Sequence, residues 1–167
     1  MKLIPLTQGM FTMVDDEDFD FLMEFKWHAR KAPRTWYARS NFGGQETGRT
    51  AMCMHQLLAL GAENIDHWDR NGLNNCKSNL RISTLSQNHG NQAKTTSPSA
   101  TSKYKGVCLE RSTGLWMVHI GMGKRGVRKY LGRFRDEEEA GRAYDAAAIV
   151  RFGEFARLNF PNAIPAT

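Results

Sequence analysis

An Asp-His pair, Asp66 and His67, opens a polar stretch of the chain with the residue types of a hydrolytic metal site. Asn79 follows His67 after twelve residues, and Asn88 follows after nine more. The carboxylate of Asp66 and the amide oxygen of Asn88, completed by waters and a substrate phosphate, would suit Mg²⁺ or Mn²⁺. A neutral His67 would then deprotonate a water for attack on phosphorus. This spacing predicts one divalent metal ion beside a catalytic base.

The other asparagines of this stretch have more ordinary interpretations. Asn79 lies between two predicted strands, where its side chain would hydrogen-bond the loop backbone and hold His67 in place. The pair Asn71-Gly72 is typical of a tight turn. Asn74 and Asn75 are compatible with either loop capping or a substrate contact. A turn-rich connector without chemistry is the competing interpretation of the whole stretch.

The elements around these residues are predicted in the order strand, loop, strand and helix. The strands cover residues 64–68 and 80–83. Thr84, followed three residues later by Gln87, is a capping-box signature and predicts a helix over 84–94. Upstream, the apolar patterns predict a strand over 9–15, a helix over 16–25 with Phe19, Leu22 and Met23 on one face, a hairpin of 27–31 with 35–42, and a strand passing into a helix over 50–60.

Small polar residues with one proline over 95–102 indicate a linker between two parts of the chain. After it, three strands are predicted over 104–110, 115–121 and 127–134, and a helix over 137–153. The helix carries small or branched residues at helical spacing, which would pack on the sheet: Ala140, Ala143, Ala147 and Val150. The sequence therefore predicts an α+β fold class with an N-terminal domain over 1–94 and a C-terminal domain over 103–162, a three-stranded antiparallel sheet on one helix.

Positive charge is concentrated in the second part of the chain. Residues 1–95 hold 11 Lys or Arg against 10 Asp or Glu, whereas residues 96–167 hold 12 against 7. Residues 103–135 alone contain nine basic residues and one acid, Glu110. A basic face of this kind indicates a polyanionic partner such as nucleic acid, although a solvated surface has the same composition.

Alternation along the predicted strands separates a core face from an outward face. Trp116, Val118 and Ile120 share the face toward the helix, whereas Arg128 and Tyr130 share one face of the third strand, with Lys129 and Leu131 on the other. A short sheet can lie in the major groove of double-stranded DNA, with Arg side chains on bases and loop cations on phosphates. The predicted outward set is Lys105, His119, Arg128 and Tyr130, with Arg111, Lys124 and Arg125 on the hairpin loops.

The polar stretch resembles the HNH nuclease family, in particular its homing endonucleases of phage and intron origin. The resemblance rests on 66-DH-67, 71-NG-72, 74-NN-75, 79-NLR-81 and 87-QN-88, and it extends to His55 in 54-MHQLL-58. It implies a ββα-metal core over about residues 50–94. It assigns Asp66 and Asn88 to the metal, His67 to general base catalysis and Asn79 to loop positioning.

Residues 104–161 resemble the plant APETALA2/ethylene-response DNA-binding domain. The motifs are 104-YKGV-107, 114-GLW-116, 131-LGRF-134 and 137-EEEAGRAYDAAAIVRFGEFARLNFP-161. The resemblance implies DNA binding through the sheet, and it departs from the plant pattern at Cys108, Glu110 and Gly121, so the target sequence is expected to differ. The implied contact positions are Lys105, Gly106, His119, Arg128, Tyr130 and Tyr144.

Together these patterns predict a metal-dependent DNA endonuclease of the homing type, a hydrolase that nicks one strand per active site at a target selected by the C-terminal sheet. The alternatives are a non-catalytic DNA-binding regulator with a decayed HNH fold and an RNA-binding or RNA-processing protein. The chain lacks an apolar run long enough to span a bilayer, so no membrane partner is expected. A phage-encoded monomer or weak dimer in the cytoplasm of a bacterial host is expected.

Overall fold

The chain is described by a computed structural model that covers residues 1–43, 50–94, 97–123 and 126–161. Its contacts divide the chain into two compact units, Met1–Thr84 and Leu85–Thr167. The division falls after Thr84, so the helix that follows belongs to the second unit. The functional domain bounds of 1–94 and 103–162 with a linker at 95–102 stay predictions.

The described residues of the first unit form three antiparallel sheets and two short α-helices. Met54 and Leu22 are completely buried in its core, and the indole N–H of Trp27 donates to the Leu22 carbonyl at 2.7 Å. Met23 is 48% exposed, so its predicted place on the buried helical face is wrong. The elements are β1 (Lys2–Pro5), β2 (Phe11–Val14), α1 (Asp16–Met23), β3 (His28–Lys31), β4 (Trp36–Phe42), β5 (Thr50–Cys53), α2 (Met54–Leu58), β6 (Ile65–His67) and β7 (Leu80–Ile82).

The second unit is a three-stranded antiparallel sheet packed on a long helix, which confirms the predicted α+β class with antiparallel sheets. Val118 and Ile120 lie in its core with exposures of 0% and 2%, and Trp116 packs against that core. The described residues do not establish the ββα-metal core that the resemblance implied over about residues 50–94. The elements are α3 (Leu85–Asn91), β8 (Val107–Glu110), β9 (Leu115–Gly121), β10 (Arg128–Phe134) and α4 (Glu137–Phe152), with strand order β10-β9-β8.

Helix α4 begins and ends as its sequence predicts. The Asp136 carboxylate accepts from the Glu139 N–H at 2.8 Å, as expected of an N-terminal cap. The helix ends at Phe152, and the Gly153 that follows has a φ of 55° and a ψ of −131°, a backbone conformation that favours glycine. Its buried face contains Ala140, Tyr144, Ala148 and Phe152. The predicted inclusion of Val150 in this face is wrong, because Val150 is 89% exposed and a position two residues after Ala148 lies on the opposite side of a helix.

A β-bulge in β10 changes which residues face outward. Tyr130 pairs with His119 and Gly132 pairs with Val118, so Leu131 is an extra residue in the strand. Gly132 has a φ of 143°, a backbone conformation that favours glycine. After the bulge, the residues of β10 that face outward are shifted by one position. Arg133 pairs with Met117 and therefore shares the outward face with Tyr130.

Candidate nucleic-acid interface and the Asp-His loop

The structure brings three of the predicted DNA-binding residues together on the outward face of the sheet. The His119 and Tyr130 rings lie 5.4 Å apart, and Arg128 pairs with Gly121 on the same strand pair. Tyr130 is 51% exposed, and Arg128 is exposed as well. This face therefore presents an aromatic ring, an imidazole and a guanidinium side by side, away from the helix-covered core.

Arg133 is a fourth member of this face that the sequence patterns missed. Its guanidinium donates to a Glu110 carboxylate oxygen at 2.8 Å. The Thr113 hydroxyl and Arg133 both lower the pKa of that carboxyl, so Glu110 is ionised at neutral pH. A glycine inside a predicted strand is a signal of a bulge, and Gly132 was the available indication that the alternation would shift.

Lys105 and Gly106 lie before β8 and have different surroundings from the strand residues. The Lys105 ammonium donates to the carbonyl oxygens of Gly90 at 2.6 Å and Gln92 at 2.8 Å. Gly106 has a φ of 78° and accepts at its carbonyl from the His119 N–H at 2.9 Å. Arg111 is exposed in the turn after β8. Arg125 and Lys124 lie outside the described residues.

In the first unit, Asp66 and His67 are buried, with exposures of 6% and 5%. Asp66 pairs across the β6–β7 hairpin with Arg81. The Arg81 Nε and Nη2 atoms lie 3.0 Å and 2.8 Å from one Asp66 carboxylate oxygen. The buried carboxylate is thus compensated by a guanidinium within its own hairpin.

His67 is surrounded by polar and aromatic side chains of the same unit. Its Nε2 atom lies 3.3 Å from the side-chain amide oxygen of Asn75, and the Asn75 amide nitrogen donates to the Thr12 hydroxyl at 2.8 Å. The His67 ring lies 4.9 Å from that of His55 and 5.8 Å from that of Tyr37. The sequence leaves Asn75 open between loop capping and a substrate contact, and in the structure its side chain contacts His67 and Thr12.

Asn79 hydrogen-bonds the loop backbone, the contact expected of its side chain. Its amide nitrogen donates to the Asn74 carbonyl at 2.8 Å and to an Asp69 carboxylate oxygen at 2.9 Å. Its amide oxygen accepts from the Asp69 N–H at 3.0 Å. The Asn71 side chain accepts from the Leu73 N–H at 3.1 Å, which closes the turn at Asn71-Gly72.

The donor set does not support the predicted Mg²⁺ or Mn²⁺ ion. Within residues 1–43, 50–94, 97–123 and 126–161, no group of three or more His, Cys, Asp or Glu side chains is arranged to hold a metal. Asp66 is held by Arg81, and Asn88 lies on α3 in the other unit. The described residues therefore do not support a divalent-metal site at Asp66 and Asn88.

The first unit is expected to lose stability as the pH falls from the ordinary histidine range toward the pKa values of its buried imidazoles. Burial lowers the pKa of His67, and burial together with the neighbouring His67 lowers the pKa of His55 from 6.5 to about 4. In this window the unfolded chain binds more protons than the folded chain, so acid favours unfolding. Each imidazole should contribute a slope of up to about 1.4 kcal/mol per pH unit to the free energy of unfolding.

Urea unfolding followed by the amide NMR signals of β3, β4 and β5 at pH 7, 6 and 5 measures this dependence in the first unit. The His55→Gln variant should show a shallower pH dependence than the unchanged chain. Equal free energies of unfolding at pH 7 and pH 5 would contradict the assignment of neutral, buried imidazoles.

Comparison with known proteins relates part of this chain to plant DNA-binding proteins. No family model matches the chain. The chain is 47% identical over 60 residues to ethylene-responsive transcription factor ERF013 of Arabidopsis thaliana, covering 36% of this chain and 24% of that protein. Two dehydration-responsive element-binding proteins of the same plant, 2A and 2D, are 45% and 42% identical over 58 and 65 residues. These matches cover 35% and 39% of this chain and 17% and 31% of the relatives, so the chain spans less than a third of each.

These relatives overturn the predicted activity. They are named as a transcription factor and as element-binding proteins, not as nucleases. The predictions of a metal-dependent homing endonuclease, of a hydrolase and of an HNH or phage protein are therefore wrong, and the non-catalytic DNA-binding regulator agrees better with the comparison.

The predicted bacterial host cytoplasm also finds no support, because the matched relatives are plant proteins. Across the part of the chain that the structure describes, no helix is long and apolar enough to cross a membrane.

The three-stranded sheet packed on one helix is compatible with the domain type that the relatives indicate. The comparisons thus support a DNA-binding domain of the AP2 and ethylene-responsive-factor type over about a third of this chain.

Proposed function

We propose that the protein is a DNA-binding regulator that places the outward face of β8, β9 and β10 against double-stranded DNA. The observation that carries the proposal is the cluster of His119, Arg128 and Tyr130 on adjacent strands, on the face opposite α4, where Arg128 and Tyr130 are exposed and His119 is half-buried. A short antiparallel sheet has the dimensions to enter the major groove. The similarity to plant proteins named for transcription and element binding supports the same role.

The residues of this face have complementary roles in the proposal. Arg128 is long enough to reach base edges and can donate two hydrogen bonds to guanine. Tyr130 and His119 supply polar tips that contact bases or phosphate oxygens. Arg111, in the exposed turn after β8, is placed to hold a phosphate and so to set the position of the sheet on the duplex.

Several positions on the outward face of the sheet carry no positive charge, which reduces the number of DNA sequences that this face could bind. Cys108 pairs with Met117, and Gly121 pairs with Arg128, so both lie on the outward face. Glu110 is held by Arg133 at 2.8 Å. That ion pair removes one cation from phosphate binding and also shields the negative charge of Glu110 from the duplex.

The first unit has a non-catalytic role in this proposal. Its Asp66–Arg81 ion pair and the hydrogen bonds of Asn79 and Asn75 stabilise the loop between β6 and β7. Buried, mutually satisfied polar groups of this kind specify a single loop conformation.

Arg128→Ala is expected to weaken the binding of a selected DNA duplex by about tenfold to a hundredfold, because a bidentate Arg contact to a base contributes about 1–3 kcal/mol. The duplex is first selected from a random library with the unchanged protein. Affinity is then measured by fluorescence anisotropy at fixed salt, since phosphate contacts make it salt-dependent.

The matched control is Arg142→Ala. Arg142 is an exposed arginine on α4, away from the strands, and its removal changes the net charge by the same amount. Its effect should be less than about threefold. Equal losses for both variants would show that binding responds to total charge and would refute the sheet as the reading surface. An RNA duplex of the same sequence should compete poorly, because its major groove is too narrow for the sheet.

A further inference from the structure

A cationic cavity of about 310 Å³ lies in the second unit, apart from the outward sheet face. Four of its seven lining residues carry a positive charge. Lys94 lies in the segment after α3, Lys103 and Lys105 lie before β8, and Arg157 lies after α4. The other lining residues are Tyr104, Leu158 and Asn159. None of these residues lies on β8, β9 or β10.

Backbone carbonyls hold two of the ammonium groups in place at the cavity. Lys94 Nζ donates to the carbonyl oxygens of Ser102 and Tyr104, the latter at 2.6 Å. Lys105 Nζ donates to the carbonyl oxygens of Gly90 and Gln92. Carbonyl oxygens are dipoles without formal charge, so these contacts orient the ammonium groups and leave their charge in place.

Lys94 and Lys103 are the two cavity lysines whose carboxylate contacts can be compared. Among the described residues, no carboxylate forms an ion pair within 4.0 Å of Lys94 or Lys103. A Glu137 carboxylate oxygen accepts from the backbone N–H of Lys103 at 3.1 Å. Burial also lowers the pKa of Lys94, as expected for a cation whose charge is incompletely compensated.

The side chain of Asn159 fixes the wall of the cavity. Its amide oxygen accepts from the Lys105 N–H at 2.7 Å, and its amide nitrogen donates to the Lys105 carbonyl at 3.2 Å. The main chain of Asn159 is held in turn, since its N–H donates to the Asp145 carboxylate at 2.8 Å. The cavity is therefore shaped before any ligand enters, which lowers the cost of ordering side chains on binding.

We propose that this cavity binds a phosphate group of a polyanion. Four cationic side chains that line one cavity suit the negatively charged oxygens of phosphate, and charge-assisted hydrogen bonds are the strongest of their kind. The volume exceeds that of one phosphate, so neighbouring phosphates of the same ligand would lie at its mouth. Lys105 also belongs to the predicted DNA-contact set, but it lies before β8, so the site goes beyond the proposed interface of β8, β9 and β10. The phosphate belongs either to the DNA backbone or to a free polyphosphate compound.

Tripolyphosphate titrated into the full chain by calorimetry tests the site. Lys103→Gln should weaken binding by about tenfold, the effect of losing one charge-assisted hydrogen bond. The matched control is Lys129→Gln, which removes an exposed lysine on β10 outside the cavity and should change binding by less than about twofold. Lys94→Met should also weaken binding, and its thermal unfolding is measured because Lys94 anchors the Ser102–Tyr104 backbone. Equal binding by Lys103→Gln and Lys129→Gln would overturn the proposal.

A second titration with the selected DNA duplex identifies the source of the phosphate. If the backbone supplies it, Lys103→Gln weakens DNA binding and reduces the slope of log affinity against log salt by about one. If a free compound supplies it, Lys103→Gln weakens tripolyphosphate binding and leaves DNA affinity unchanged. Arg128→Ala should weaken DNA binding and retain tripolyphosphate binding, so failure of the sheet interface and failure of the cavity are distinguishable.

Discussion

Replacing Gly106 by alanine is expected to destabilise the second unit by about 3 kcal/mol or more, through backbone strain and overpacking together. Gly106 has a φ of 78°, a conformation that costs an L-residue about 1–2 kcal/mol. A Cβ at this position would also lie 2.0 Å from a ring carbon of Tyr144 and 2.7 Å from the His119 carbonyl oxygen. Tyr144 is 4% exposed within the core, so its ring cannot move aside without opening the packing.

Gly114→Ala is the matched control, because Gly114 has a similar φ of 69° and no atom within 4 Å of the position of its Cβ. It should cost about 1 kcal/mol, the conformational part alone. Urea unfolding followed by amide NMR signals of β8, β9 and β10 measures both variants. Equal losses would show that the contact with Tyr144 contributes nothing and that Gly106 is required only for its backbone conformation.

The core of the second unit could be predicted because strand alternation and helix capping are local properties. The spacing of Trp116, Val118 and Ile120 alone predicts their place on the core face, and the predicted helix over 137–153 also rests on short-range features. The bulge at Leu131 is different, since an extra residue is compatible with the same composition and shifts every later side chain. Arg133 was missed for that reason.

The packing of α3 within the second unit could not be predicted from the sequence. Gly90 of α3 is close to Phe152, since a Cβ on Gly90 would lie 2.7 Å from the Phe152 ring. The Arg157 N–H also donates to the Gly90 carbonyl at 3.2 Å. Such tertiary contacts leave no local pattern in the sequence.

The chemistry of the polar stretch was predicted wrongly because residue type does not identify a partner. An aspartate beside a histidine serves equally as a metal ligand or as half of an ion pair. Arg81 lies fifteen residues after Asp66 and reaches it only through the β6–β7 register. The turn at Asn71-Gly72 and the loop contact of Asn79 were predictable, because Asx side chains hydrogen-bond their own neighbourhood.

Replacing Arg81 by methionine is expected to destabilise the first unit by about 3 kcal/mol. Removing one partner of a buried ion pair leaves the other charge without its compensation, at a cost of about 3–5 kcal/mol. The side chains of Arg81 and Asp66 are 16% and 7% exposed, so solvent reaches the pair only in part. Methionine retains the apolar stem of the arginine, so the loss reports the guanidinium and its two contacts at 3.0 Å and 2.8 Å.

Two further variants separate burial from the mere presence of an ion pair. Arg133→Met breaks the Glu110 pair of the second unit, in which the arginine is 47% exposed, and should cost less than about 1 kcal/mol because solvent screens it. Asp66→Asn combined with Arg81→Met removes the uncompensated charge and should regain most of the loss caused by Arg81→Met alone. Thermal unfolding of all three variants, compared with the unchanged chain, gives the four free energies of this comparison. If the double variant were no more stable than Arg81→Met, the loss would come from packing around the guanidinium and not from the charge of Asp66, and the ion pair could not be what stabilises the β6–β7 hairpin.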